Sequence, residues 1–167
     1  MRLGIIGPSK LESLDSVNKN ARQLISRLAK LVANYGNDIL VVPDKRSASE
    51  FFAQEYLRFK GKKVYELIPL DDKEFGYSWL NSEIGEHINC GTWRNQPEKL
   101  NEETDCLLCI GYAVGVLAEI AYSKWFKPKP IYIVRKLVTK RLPEEVEKSL
   151  RLEYVSLAQL REILIKK

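Results

Sequence analysis

Histidine is almost missing from this sequence: His87 is the only one among 167 residues. With no second imidazole to share an ion, a histidine-based metal site is excluded, and a structural, hydrogen-bonded role is expected for His87. Cysteine is nearly as scarce, and Cys90, Cys106 and Cys109 cannot all pair within one chain. Cys106-Leu-Leu-Cys109 has the C-x-x-C spelling, but it lies inside TDCLLCIG, a buried-strand pattern. An odd spacing along a strand sends the two sulfurs to opposite faces, so buried structural thiols are expected. No apolar run is long enough to span a bilayer, and no secretion leader opens the chain, so the cytoplasm is the expected compartment. Internal repeats, low-complexity tracts and linkers are absent, which suits one domain over 1–167. A clustered basic stripe is missing too. The net charge of +5 is spread among acidic residues, which speaks against nucleic acid and favours a small phosphorylated partner.

What is present is an alternation of short apolar runs and helical patterns. RLGIIG (2–7), DILVVP (38–43), KKVYELIP (62–69), TDCLLCI (104–110) and PIYIV (130–134) read as strands, and LEYVS adds a possible sixth. Between them, residues 15–35 place Val17, Ala21, Leu24, Ile25, Leu28, Leu31, Val32 and Tyr35 at helical spacing, stopped by Gly36. Ser47-Ala-Ser-Glu50 and Ser156-Leu-Ala-Gln159 spell capping boxes, and Pro143-Glu-Glu suits a short helix. Residues 70–103 break the rhythm and read as a long, partly helical functional segment. Strands apolar on both faces and separated by helices predict an α/β, three-layer, doubly wound Rossmann-like fold. Its sheet is mainly parallel, of five or six strands, with helices on both faces. Ligands bind such folds outside the carboxyl ends of the strands, which directs attention to 7–14, 43–48, 70–95 and 110–115.

The stretch CIGYAVGVLAEIAY (109–122) is the most informative. A helix starting just after a strand points its unpaired amides at the sheet's carboxyl edge, where a phosphate can sit. Gly115 permits close approach, and Glu119 follows roughly 6 Å further along the axis. On a helical projection Val114, Leu117, Ala118, Ala121 and Trp125 form a stripe expected to pack on the sheet. Val116 and Ile120 fall nearly opposite, where they are expected to meet a second subunit in a homodimer or larger homo-oligomer, or else the 70–103 segment folding over the helix.

These residues resemble the LOG-like Rossmann proteins, which include phosphoribohydrolases of nucleoside 5′-monophosphates and relatives named as molybdenum-cofactor carriers. The family signature is P-G-G-x-G-T-x-x-E after a strand preceded by Asp. Asp105, Gly115 and Glu119 match it at the family spacing, and Arg94-Asn95 stands near the family's arginine. Gly111-Tyr112-Ala113 replaces Pro-Gly-Gly, and Val116 replaces the threonine. The resemblance implies catalytic roles for Glu119 and Arg94. It also implies ligand binding by Gly7, Pro8 and Ser9 of the first turn, by Asn95, and by Gly111, Tyr112, Ala113, Val114 and Gly115. Lys45 and Arg46 stand where the family has a glycine-rich turn, as substitutes for its lost backbone contacts. No metal and no separate cofactor are implied.

Nucleoside 2-deoxyribosyltransferases resemble the chain differently, through Gly7-Pro8 and a glutamate in the corresponding later helix. Three functions therefore stand open: cleavage of an N-glycosidic bond in a nucleotide by hydrolysis or transfer, non-catalytic nucleotide sensing or carrying, and a structural or interaction role or the DNA processing seen in distant Rossmann-like proteins.

Overall fold

The computed structural model describes residues 1–166. Its centre is one seven-stranded, wholly parallel sheet in the order β4-β3-β2-β1-β5-β6-β7. The strands are β1 (Arg2–Ile6), β2 (Asp38–Val41), β3 (Val64–Ile68), β4 (Glu86–Asn89), β5 (Cys106–Cys109), β6 (Ile131–Val134) and β7 (Leu152–Val155). The helices are α1 (Ala21–Asn34), α2 (Ala48–Arg58), α3 (Gln96–Glu102), α4 (Val114–Tyr122), α5 (Glu144–Glu147) and α6 (Leu157–Ile165). The expected α/β, doubly wound architecture is present, with one strand more than expected. That strand, β4, has the sequence EHIN and pairs in parallel with β3 at the sheet edge. An edge strand buries little, so it carries none of the apolar signal that marks the others.

Two apolar clusters sandwich the sheet. One joins Ile5, Ile39, Cys106 and Leu108 to α1, α2 and α6, through side chains such as Ile25, Phe52 and Leu160. The other joins Ile6, Leu40, Leu107 and Cys109 to Leu100 of α3 and to Val116 and Ile120 of α4. Cys106 and Cys109 thus lie on opposite faces, as their odd spacing requires, and all three cysteines are buried. Burial pushes the Cys109 thiol up to about 12, so these sulfurs are packing groups.

Capping follows the sequence closely. Ser156 and Gln159 form the reciprocal box at α6. Ser47 accepts from the Glu50 amide at α2, but the Glu50 carboxylate accepts from the Arg46 amide at 2.5 Å and from Asn81 Nδ2 at 2.9 Å. It thereby ties the β2–α2 turn to the segment before β4. Lys129 is buried and donates to the carbonyls of Asn101 and Thr104, closing the α3–β5 turn. His87 stands 3.1 Å from the fully buried Glu66 and 2.9 Å from the Ser82 carbonyl, the structural role expected of it.

The orientation of α4 is opposite to expectation. Val116, Glu119 and Ile120 face inward, whereas Val114 is 88% exposed, Trp125 77% exposed, and Leu117 and Tyr122 are also exposed. The helix is apolar on several sides, so periodicity defines its stripes without saying which faces the sheet. Contacts distant in sequence decide. Asn101 Nδ2 donates to the Glu119 carbonyl at 2.9 Å, and Gln96 Nε2 donates to the Glu119 carboxyl at 2.8 Å. Val116 and Ile120 are therefore core and cannot meet a second subunit.

Two glycines flanking this turn behave oppositely. At Gly111, φ is +142° and an added Cβ would lie 2.6 Å from Leu14 and 3.0 Å from Pro8, whereas at Gly115 it would meet nothing within 4 Å. Gly111→Ala is expected to cost roughly 2–4 kcal/mol, and Gly115→Ala to add about 0.5 kcal/mol through helix propensity. Denaturant unfolding of both variants reads this. Equal effects would contradict the packing described.

Candidate functional site

In this strand order the chain runs outward from β1 through β2 and β3 to β4, then returns to place β5 against β1. Connections leaving β1 and β5 diverge to opposite faces, which opens a crevice at their carboxyl ends. A cavity of about 220 Å³ occupies it, lined by Gly7 and Ser9 after β1, Asp44 after β2, Trp93 and Gln96 at α3, and Glu119 of α4. Ala113 and Gly115, at the amino end of α4, line the same cavity. Ala113 is the extended residue before the helix and provides no side-chain cap. The first amides of α4 are thus free to meet an anion.

Glu119 is the chemical centre of the cavity. Burial raises its carboxyl from 4.5 to about 7; the Gln96 hydrogen bond opposes that shift, and the nearby charge of Asp44 adds to it. Asp44 is raised as well, first by burial and then by Glu50, while the Trp79 indole acts to lower it. Two carboxyls sharing a desolvated crevice hold each other's protons more tightly.

The segment 70–95 roofs this space. Asp72 accepts from the backbone amides of Phe75 at 2.8 Å and Trp93 at 3.0 Å, and those bonds hold its carboxyl below the usual range. Trp93 donates its indole N–H to the Gly76 carbonyl at 2.8 Å and stacks on Trp79, with ring centroids 5.4 Å apart and planes 13° from parallel. Beyond Trp79 lies an outer chamber of about 570 Å³, lined by Lys10, Asp44, Lys45 and Arg46 among others. Ser9 and Asp44 line both spaces, so the two adjoin.

The residues expected at the site separate into two groups. Glu119, Gly7, Ser9, Ala113 and Gly115 converge on the inner cavity, and Lys45 and Arg46 on the outer chamber. Pro8 instead packs on Gly111 and accepts from the Ala48 amide at 3.0 Å, so both serve the turn. Tyr112 meets Tyr154 through their hydroxyls at 3.3 Å, and Val114 points to the surface. Arg94 is paired with Glu74 at 2.7 Å on an exposed loop, and Asn95 accepts from Thr92. Gln96, not Arg94, reaches Glu119. Asp105 lies at the amino edge of the sheet, where it accepts from the Arg2 amide at 2.7 Å. Gln96, Asp44 and Lys10 were missed. Of these, Asp44 had a usable signal, since an acid just past β2 borders the crevice of any doubly wound sheet.

The architecture matches solved proteins over its whole length. The molybdenum cofactor binding protein of the phototrophic bacterium Rippkaea orientalis superposes with a TM-score of 0.71 at 15% identity, covering 99% of this chain and 95% of that one. The Moco carrier protein of Chlamydomonas reinhardtii gives a TM-score of 0.72 at 16% identity, covering 99% and 98%. This is the fold of the molybdenum cofactor carrier proteins. No family model matches the sequence, and no curated protein matches it either. The likeness to the carrier proteins is therefore one of architecture, and it agrees with the sequence resemblance to the LOG-like group at that level. No helix among the described residues is long and apolar enough to cross a membrane, and no cluster of potential metal ligands occurs among them.

A carboxyl that ionises less readily when folded makes the folded state less stable as pH rises. The unfolded chain releases the proton from about pH 4.5, while folded Glu119 keeps it until about pH 7. Stability due to this group is complete below pH 4.5, is lost across that window, and is constant above it. Glu119→Gln keeps the acceptor for Gln96 and removes the titration. Its melting temperature should match wild type at pH 4.5 and exceed it at pH 8, by an amount on the order of 3 kcal/mol in stability. A difference that does not vary with pH would refute the shift.

Proposed function

We propose that this protein binds a small phosphorylated ligand, a nucleotide, in the crevice between β1 and β5, and holds it without breaking it. The observation that carries this reading is the convergence of Glu119, Gln96 and the open amino end of α4 on one cavity at the switch point of the sheet. The α4 amides suit a phosphate, and the Glu119 carboxyl, one turn further along, suits sugar hydroxyls. Trp79 and Trp93 offer an aromatic wall for a heterocycle. A carrying role is further supported by Arg94, whose guanidinium is committed to Glu74, and by the carrier proteins of the same fold, whose names record a bound molybdenum cofactor.

One observation favours the second reading, a hydrolase of the N-glycosidic bond. Glu119 titrates near neutrality, and a carboxyl with that property can protonate a departing base or, once ionised, stabilise positive charge on the sugar. Calorimetry over the nucleoside 5′-monophosphates, together with the molybdenum cofactor, separates the readings when the ligand is recovered afterwards and checked for free base. The proposal expects binding with intact ligand. Base release that Glu119→Gln abolishes would establish the hydrolase instead, and no binding by any compound would defeat both.

We also propose that the exposed face of α4 packs against a second copy of the chain. Val114, Leu117 and Tyr122 of the helix and Trp125 of the turn after it are exposed large apolar side chains, of the kind that marks self-association. Light scattering after size exclusion should give a dimer or larger assembly for wild type and a monomer for the Leu117→Lys, Trp125→Lys double variant. A monomeric wild type would contradict this.

A further inference from the structure

A monophosphate bound between the α4 amides and Glu119 leaves the outer chamber without a purpose, although the lining of that chamber carries an excess of positive charge. Its cations are Lys10, Lys45 and Arg46. None of the three forms an ion pair with an acidic side chain among the described residues, whereas Arg2, Arg58, Lys99 and Arg141 each do. Lys45 Nζ donates to the Ser78 carbonyl at 3.1 Å, a neutral partner. The only acid of the chamber other than Asp44 is Glu12, which lies toward Arg22 at 3.8 Å. The cations outnumber the acids of the lining by three to two, and positive charge in excess around a concave surface concentrates anions there.

Backbone geometry at Arg46 is a second, independent observation. Its φ of 70° is left-handed, a conformation that costs any residue bearing a Cβ free energy and persists only when its surroundings enforce it. They do so here. The Arg46 amide donates to Glu50 at 2.5 Å, and its carbonyl accepts from the Leu11 amide at 2.9 Å. The other non-glycine residue of this kind, Lys60, follows the last turn of α2, where a left-handed residue is the ordinary way to end a helix. Arg46 ends no helix, and it lines the chamber.

Asp44 supplies the third observation. It borders both spaces, and its Oδ1 is buried with no hydrogen-bond partner. A buried acceptor left unpaired is satisfied only by a donor that displaces what covers it, and a hydroxyl of a ligand passing between the two spaces is such a donor. The backbone around it is fixed: Asp44 bridges Leu80, the Lys45 amide donates to the Trp79 carbonyl at 3.0 Å, and the Asn81 amide donates to the Pro43 carbonyl at 2.8 Å.

We propose that the outer chamber is a second anion subsite for the same ligand. Lys10, Lys45 and Arg46 hold a phosphate there, and Asp44 accepts from a free hydroxyl of the sugar that joins it to the inner cavity. The ligand class selected is a nucleotide phosphorylated at two positions of its ribose, one phosphate reaching the α4 amides and the other the cations. This rests on the nucleotide reading given above.

Calorimetry at fixed ionic strength on the full chain tests it, with a nucleoside 5′-monophosphate and the 2′,5′- and 3′,5′-bisphosphates of the same base as probes. Wild type should bind one bisphosphate about tenfold more tightly than the monophosphate. In Lys45→Gln and in Arg46→Gly that ratio should fall to about twofold or less. Glycine accepts the left-handed backbone, so Arg46→Gly should melt at or above the wild-type temperature, which separates lost recognition from lost folding. Equal binding of monophosphate and bisphosphates by wild type overturns the second subsite and leaves the nucleotide reading standing. A gain that survives both substitutions also overturns it. Failure of every probe to bind overturns both.

Discussion

The hydrogen bond from Gln96 to the Glu119 carboxyl, at 2.8 Å in a buried setting, is the interaction on which the rest of the site depends. It joins α3 to α4 across the face that carries Leu107, Cys109 and Ile133, and with the Asn101 bond to the Glu119 carbonyl it fixes the rotation of α4. That rotation sends Val116 and Ile120 into the core and opens Gly115 to the cavity. It also exposes the stripe from Val114 to Trp125. A buried carboxyl with a single neutral donor is poorly compensated for lost hydration, so its proton affinity rises. Helix orientation, cavity lining and the titration of Glu119 are thus consequences of one arrangement.

The second constraint is topological. A parallel sheet with a reversal between β1 and β5 must leave a crevice there, and what fills its surroundings decides the chemistry. Here the roof is the segment 70–95, held by Asp72 and the stacked tryptophans, and the side wall is the Asp44–Arg46 turn, held by Glu50. A larger groove of about 1170 Å³ runs between α1 and α6 on the other face, bordered by Leu24, Leu31, Tyr35 and Leu157. No buried polar side chain lines it. Size alone would select that groove, but convergent polar groups of shifted proton affinity select the crevice.

Much of this was legible in the sequence. The apolar runs located six of the seven strands, and the spacing from the fourth run through Gly115 to Glu119 located the cavity. The odd spacing of Cys106 and Cys109 placed their sulfurs on opposite faces, as found. What was not legible was decided by contacts far apart along the chain. β4 is polar because an edge strand need not be otherwise. The facing of α4 is set by Gln96 and Asn101, many residues upstream. The register of Arg94, Asn95 and Gln96 depends on Trp93 being anchored to Asp72 and Gly76, and that anchoring turns Arg94 toward Glu74 and brings Gln96 to the cavity.

The ligand site proposed is the crevice beside Glu119 and not the larger groove between α1 and α6. A crystal structure of the protein with a bound nucleoside 5′-monophosphate tests it most directly. Density is expected with a phosphate at the amino end of α4 and a sugar within hydrogen-bonding distance of Glu119. Density between α1 and α6 with the crevice empty would contradict it.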